Sequence, residues 1–200
     1  MRAQIYLASQ SPRRQELLQQ LGVNFELLLP EPGEDAEALE VRLGQEPAKT
    51  YVQRVCLLKT QAALQRLQRQ QKVMRPVLCA DTTVALGNTL LGKPENAEQA
   101  AQMLHGLSGK THRVLTAVAV ATPQDCTCLI SISQVSFTEL SDNDIQAYIA
   151  SGEPFGKAGS YGIQGRAGAF IRHLSGSYSG VMGLPLYETR CLLQKTGLRL

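Results

Sequence analysis

The 200-residue chain contains no tryptophan, and aromatic residues make up only 5% of it. Proteins that bind single-stranded nucleic acid stack its bases on aromatic side chains set among lysines and arginines. The scarcity of aromatic residues therefore argues against a nucleic-acid-binding domain. Long apolar runs are also missing, since the longest uncharged apolar segment, residues 115–121, is far shorter than the roughly 20 residues of a membrane helix. The sequence predicts no membrane span.

Signals for export and for bound zinc are lacking as well. Met1 to Gln4 lead directly into a short strand pattern, without the basic start, long apolar stretch and cleavage site of a secretory signal. A cytoplasmic location is expected. The five cysteines contain no CxxC pair, and Cys126 and Cys128 have no nearby histidine to complete a zinc set, so free thiols are expected.

Three well-known catalytic motifs fail on inspection. The sequence has no GxGxxG segment, and residues 109–111 resemble the end of a Walker A loop but have Leu104 where its first glycine is required. Residues 176–180 have Tyr178 at the centre where a nucleophile elbow needs serine. A P-loop NTPase and a Rossmann enzyme are therefore excluded. Triad chemistry is unsupported, because His105, His112 and His173 have no suitably spaced acids.

What is present indicates one globular α/β domain. Hydrophobic residues make up 44% of the chain, enough to bury a core, so a single domain over residues 1–200 is expected. The net charge of +3 is spread along the sequence and suits a polyanionic small molecule. Strand patterns cover residues 5–8, 25–29, 77–80, 113–122 and 126–140, and helical patterns cover residues 51–73 and 94–107. Their alternation predicts an α/β fold.

The first helix has an unusual start. Ser11 and Pro12 are ordinary residues at a helix N-terminus, but Arg13 and Arg14 follow where acidic residues are favoured, because the free N–H groups carry positive partial charge. A bound anion removes this conflict, since N–H groups and two guanidinium groups together bind phosphate. The alternative is that both arginines point into water.

Asp81 is the second candidate, because it directly follows the apolar strand pattern at residues 77–80. Ligand-contacting groups of open α/β sheets lie at such strand ends. There a carboxylate can hold a divalent metal ion or accept a proton from an attacking water, although it can equally cap a turn. Lys59 and Lys93 are candidates for neutralising phosphate charge, and each alone is a weak indication because most lysines are simply solvated.

Several segments in order along the chain resemble the Maf family of nucleotide pyrophosphatases. The first is LASQSPRRQELL at residues 7–18, and the second combines residues 80–82 with residues 91–94. The further matching segments are residues 103–109, 112–116, 157–165 and 181–185. The resemblance covers nearly the whole chain, and several ordered motifs are far more specific than any one of them.

The resemblance implies a long twisted mixed sheet flanked by helices, like that of inosine triphosphate pyrophosphatases, with a substrate cleft between two lobes. It implies hydrolysis of a nucleoside triphosphate to the monophosphate and pyrophosphate, with Mg²⁺ or Mn²⁺ assisting the attack of water on the α-phosphorus. Asp81 matches the family's catalytic base and a metal ligand. The residues that match the family's phosphate-binding set are Ser9, Arg13, Arg14, Lys59 and Lys93.

The resemblance also implies a substrate. The subgroup that acts on dTTP and UTP carries the residues found here at Arg13, Thr82 and Gln164, and Gln164 can donate to and accept from a pyrimidine edge. Glu34 is carried over as a metal or substrate ligand from a loosely matching segment. A homodimer fits the family. The alternative function is a nucleotide-sensing regulatory protein acting in septum formation or cell division.

Overall fold

The computed structural model describes residues 4–34 and 38–200. Its helices are α1 (Pro12–Gln20), α2 (Ala48–Arg69), α3 (Ala97–Leu107), α4 (Asp142–Ala150), α5 (Tyr178–Met182) and α6 (Leu186–Lys195). Its strands are β1 (Ile5–Leu7), β2 (Phe25–Leu27), β3 (Val77–Leu86), β4 (Thr89–Leu91), β5 (Thr111–Ala121), β6 (Cys126–Phe137) and β7 (Ile171–Ser175). Short 3₁₀ helices occur at Ala38–Glu40, Ala158–Ser160 and Arg166–Phe170.

The described strands form one mixed sheet of seven strands. Six of them run in the order β2-β1-β3-β5-β6-β7, and β4 pairs with β3 on the side of β1. β1 is parallel to β2 and to β3, whereas the pairs β3–β4, β3–β5, β5–β6 and β6–β7 are antiparallel. The expected mixed sheet flanked by helices is therefore confirmed.

The long central strands are buried on both faces, which explains their nearly continuous apolar sequence. On one face α2 packs its apolar side against Ala85, Leu115 and Ala117. On the other face two separate apolar clusters form. One joins β1, α1 and α6 at one end of the sheet, and the other joins α3 and α4 at the opposite end. These two clusters form the cores of two lobes.

One edge of β3 is open between the lobes. β1 pairs with β3 only at Val77 and Leu78, and β4 pairs with it only from Val84 onward. Within the described residues, no strand pairs with residues 79–83 on this edge. The chain leaving β1 enters α1, so the start of α1 borders this opening in the sheet. Polar groups at the centre of β3 can therefore be reached from outside.

Asp81 corrects one expectation from the sequence. The prediction that the strand ends at this residue is wrong, because β3 continues to Leu86 and Asp81 lies near its middle, opposite Ala117 of β5. Residues 82–86 are threonines and apolar residues, which suit a buried strand. The open edge is what allows a carboxylate that is only 6% exposed to lie inside the sheet. No helix in the two described segments is long and apolar enough to cross a membrane.

Candidate active site

A cleft of about 900 Å³ lies along the open edge of β3. This volume is at the upper end of the usual range for small-molecule sites. Every site residue predicted from the sequence lines it: Ser9, Arg13, Arg14, Glu34, Lys59, Asp81, Thr82, Lys93 and Gln164. Residues from distant parts of the chain are thus brought together in one cavity.

The N-terminus of α1 faces this cleft without an internal counter-charge. Ser11 is the N-cap residue, but its side chain makes no capping hydrogen bond, and the first turn contains no acidic residue. The backbone N–H of Ser11 instead donates to Ser9 Oγ at 3.2 Å. The free N–H groups and the following arginines give this end of the cleft positive potential.

Arg14 is held by neutral partners. Its Nε donates to the Gly183 carbonyl oxygen at 2.8 Å, and its two terminal nitrogens donate to Ser9 Oγ and Thr82 Oγ1 at 3.3 Å each. Gly183 has a φ of 116°, which favours glycine and turns this carbonyl group at the end of α5. Burial lowers the pKa of Arg14, and the charge of Asp81 opposes that shift. The guanidinium remains charged at neutral pH.

The Thr82 hydroxyl is fully engaged by the protein. It accepts from Arg14 and lies 3.0 Å from Thr116 Oγ1, which donates to the Gly180 carbonyl oxygen at 2.7 Å. Because the Thr116 proton is used on Gly180, the Thr82 proton goes to Thr116. Thr82 therefore orients the Arg14 guanidinium, and its hydroxyl has no proton left for a ligand.

Arg13 lies in the cleft near Lys157. Its guanidinium makes no hydrogen bond or ion pair with any residue that the structure describes. Burial, followed by repulsion from Arg13, lowers the pKa of Lys157, a half-buried residue of the same cleft. The stem of Lys157 lies against Gly162, where a Cβ atom would come within 3.0 Å of Lys157 Cδ. Two neighbouring cations and the exposed Gln164 thus form this end of the site.

The other side of the cleft contains a chain of ion pairs. Lys59 on α2 places Nζ 2.6 Å from Asp81 Oδ1 and 2.7 Å from Glu40 Oε1. Glu40 also pairs with Lys93, at 3.4 Å between Oε2 and Nζ. Burial raises the pKa of the Glu40 carboxyl, but the two lysines outweigh it and leave that pKa below its ordinary value. Asp81 Oδ2 receives no hydrogen bond from the described residues.

Glu34 occupies a separate position in the cleft. Arg66 Nε donates to its Oε2 at 2.8 Å, and Arg69 forms a further ion pair with it. The two arginines lower the pKa of Glu34, with the hydrogen bond from Arg66 as the largest contribution. Its carboxylate oxygens therefore already have cationic partners.

Three of the cleft residues that the sequence did not single out are polar groups near the predicted ones. Glu40 and Tyr51 lie on the Lys59 side, where the Tyr51 hydroxyl donates to the Glu40 carbonyl oxygen at 2.8 Å. Burial and then the charges of Asp81 and Glu40 raise the pKa of Tyr51 to about 12. Lys157 is the third. It stands in the segment 157–165, for which only Gln164 had been given a role.

The donor set fits a divalent cation of the magnesium type. Asp81 and Glu40 each place an oxygen within 2.7 Å of the same ammonium group, so two carboxylates already share one cation. Magnesium is typically held by one or two carboxylates together with substrate phosphates. In the described segments, no group of three or more His, Cys, Asp or Glu residues is placed to hold a metal ion. The cleft thus offers carboxylates for part of a coordination shell.

Together these features define an α/β protein with a cationic cleft around one buried carboxylate, an arrangement suited to a polyphosphate ligand. Comparison with known proteins gives a more specific answer. A family model described as Maf-like protein matches residues 4–196. The chain belongs to the Maf family.

Relatives align over almost the full chain. A protein of Ralstonia nicotianae named dTTP/UTP pyrophosphatase is 60% identical over 98% of this chain and 95% of its own length. One of the same name from Cupriavidus metallidurans is 60% identical over 97% of each chain. Among solved structures, a nucleoside-triphosphatase / dITP/XTP pyrophosphatase of Mycobacterium abscessus matches with a TM-score of 0.43 and 16% identity, covering 66% of this chain and 73% of that one. The sheet described above, not this match, carries the fold assignment.

Proposed function

We propose that this chain hydrolyses dTTP and UTP to the nucleoside monophosphate and pyrophosphate. The observation that carries the proposal is the placement of Asp81 in one cleft with Arg13, Arg14, Lys59 and Lys93. Full-length relatives named dTTP/UTP pyrophosphatase at 60% identity support the substrate. Modified pyrimidine nucleotides belong to the same chemical class.

The phosphates are bound from two sides. The free N–H groups of α1 and the guanidinium groups of Arg13 and Arg14 donate from one side, and Lys59 and Lys93 supply positive charge from the other. Ser9 fixes the Arg14 guanidinium at 3.3 Å, so that its remaining N–H groups are oriented before substrate arrives. Such preorganised donors stabilise the charge that develops on the leaving pyrophosphate.

Asp81 acts as the base toward the attacking water. Lys59 holds Oδ1 at 2.6 Å and fixes the carboxylate in position, while Oδ2 receives no hydrogen bond from the described residues and is left to accept the water's proton. Water attacks the α-phosphorus as the bond to the pyrophosphate oxygen breaks. The burial of Asp81 keeps bulk water away from the carboxylate.

We further propose that Mg²⁺ or Mn²⁺ is held by Asp81 and by phosphate oxygens of the substrate. When bound, the ion supplies positive charge that stabilises the phosphate oxygens during the reaction. Glu34 is the second carboxylate proposed for this role from the sequence. Arg66 and Arg69 would have to release it first.

Base selection is assigned to the Gln164 end of the cleft. The Gln164 amide offers a donor and an acceptor to O4 and N3–H of a pyrimidine, and a base without this pattern leaves them unpaired. Arg13 contributes a cation beside it. Thr82 contributes indirectly, by orienting Arg14. A cytoplasmic location and a homodimer complete the proposal.

The test is pyrophosphate release from dTTP, UTP and a panel of other nucleoside triphosphates. We expect turnover of dTTP and UTP, and a kcat about a thousandfold lower in Asp81→Asn, because removal of a general base typically costs 10²- to 10⁴-fold. Asp125→Asn, the same change in an exposed turn, serves as control and should leave kcat unchanged. Equal rates in the Asp81→Asn variant and the unmodified protein would remove Asp81 from the mechanism.

A further inference from the structure

Glu40 has no place in the proposed mechanism, although its carboxylate lies among the groups that bind phosphate. Its two oxygens lie near two different ammonium groups, Lys59 Nζ at 2.7 Å and Lys93 Nζ at 3.4 Å. A phosphate group bound between these lysines would present its oxygens to the same two cations. The Glu40 carboxylate therefore occupies the position that such a phosphate group would take.

The position of Glu40 is fixed by more than its side chain. Its residue ends the 3₁₀ helix Ala38–Glu40, and its carbonyl oxygen accepts the hydroxyl proton of Tyr51 on α2. Tyr51 stays protonated at neutral pH, since its pKa is raised to about 12. This anchor holds the Glu40 backbone beside the lysines, while the side chain, with 27% of its surface exposed, remains free to turn away.

Charge balance sets the consequence. The charges of Lys59, Lys93, Asp81 and Glu40 sum to zero, so the two carboxylates offset the attraction of the two lysines for an anion. A phosphate that binds here must displace the Glu40 carboxylate from at least one lysine. The polyanionic triphosphate makes contacts along the whole cleft and can offset that cost, whereas pyrophosphate alone has fewer contacts to do so.

We infer that Glu40 is a positioning residue that takes the place of a phosphate group between Lys59 and Lys93 between turnovers and weakens retention of pyrophosphate. This inference rests on the proposed function, because it assigns a role in binding the product of that reaction. In this role, the Glu40 carboxylate competes with pyrophosphate for the two lysines and keeps their ammonium groups in position between turnovers.

The test measures pyrophosphate binding by titration calorimetry in the presence of EDTA, so that no metal contributes. In Glu40→Gln, the Kd for pyrophosphate should fall about fivefold, because two partly exposed ion pairs no longer compete with the ligand. Pyrophosphate should also inhibit dTTP hydrolysis by this variant at lower concentrations. Glu46→Gln is the matched control, since Glu46 pairs with Arg54 outside the cleft, and its Kd should stay within about twofold.

Two results would overturn the inference: an unchanged Kd in Glu40→Gln, or a raised one, which would mean that Glu40 supports the phosphate site. Glu40→Asp keeps the charge and should restore much of the original Kd, which separates a loss of charge from a loss of folding. Turnover of dTTP by the unmodified protein is measured alongside. If that turnover is present and the Kd does not change, this inference fails alone; if turnover is absent, the proposed function fails.

Discussion

The cationic side chains on the two faces of β3 have different kinds of partner. On the face of Asp81, Lys59 and Lys93 are ion-paired with carboxylates. On the face of Thr82, Arg14 has only hydroxyl and carbonyl partners, and Arg13 has no hydrogen-bonding or ion-pairing partner among the described residues. Since successive residues of a strand point to opposite sides, one step along β3 separates these two environments.

The difference separates two tasks. Neutral hydrogen bonds fix a guanidinium without cancelling its charge, so the Thr82 face keeps its attraction for an anion. Carboxylates beside lysines cancel charge, so the Asp81 face attracts an anion less strongly and suits the proposed base and the proposed release of product. A cleft that combines both faces can bind a polyanion firmly and still let part of it leave.

The largest effect expected in this comparison concerns a buried neutral group on the Thr82 side of the sheet. Behind this face His112 is buried, with Nε2 2.7 Å from the Tyr161 hydroxyl, and burial lowers its pKa to about 4. The unfolded chain takes up this proton near pH 6.5, so stability is fully present above that pH and is lost as pH falls toward 4. The lowered pKa corresponds to about 3 kcal/mol of unfolding free energy.

Urea unfolding at several pH values measures this loss. In His112→Gln the free energy of unfolding should fall less steeply between pH 6.5 and 4 than in the unmodified protein. His173→Gln, a change of an exposed histidine, should keep the original slope. Identical slopes in all three proteins would contradict a neutral buried His112.

A second experiment asks whether geometry or charge matters more for Arg14. Arg14→Lys keeps the charge but cannot make three hydrogen bonds to Ser9, Thr82 and Gly183 from one planar group. We expect kcat/KM for dTTP to fall about 30-fold, or about 2 kcal/mol, since charge-assisted hydrogen bonds are worth this much. Arg113→Lys, outside the cleft, should change it by less than about twofold. Full activity of Arg14→Lys would show that charge alone suffices on this face.

The smallest expected effect concerns Gln164, at the end of the cleft to which selection of the nucleobase is assigned. Gln164→Glu keeps an acceptor but loses the amide donor, so kcat/KM for dTTP and UTP should fall about tenfold. The values for other nucleoside triphosphates should change less. The matched control is Gln134→Glu, which makes the same change at an exposed position of β6. An equal loss for every nucleotide would place Gln164 outside base selection.

The sequence predicted the parts of the site that depend on local signals. The Ser-Pro start of α1 and its unbalanced arginines are visible within four residues, and in the structure they line the cleft. The family resemblance named distant residues, and Lys59, Lys93 and Gln164 line the same cavity. Their roles stay proposals.

Long-range features escaped prediction. Asp81 was expected at a strand end because the apolar pattern of residues 77–80 stops before it. A charge in mid-strand is costly, and the ion pair with Lys59 and the open edge between β1 and β4 reduce that cost here. Glu40 lies outside every strand and helix pattern predicted from the sequence, and no local pattern indicates that its carboxylate meets lysines 19 and 53 residues away. Pairing between distant segments decides both cases.

The unpaired stretch on one edge of β3 also fixes the distance between β1 and β4. β1 and β4 pair with the same continuous strand, so the distance between them is set by the six steps from Leu78 to Val84, about 20 Å at the usual rise per residue. Neither lobe can shift along this strand without breaking its ladder. The number of residues of β3 that are unpaired on this edge therefore sets the length of ligand that fits across the interruption.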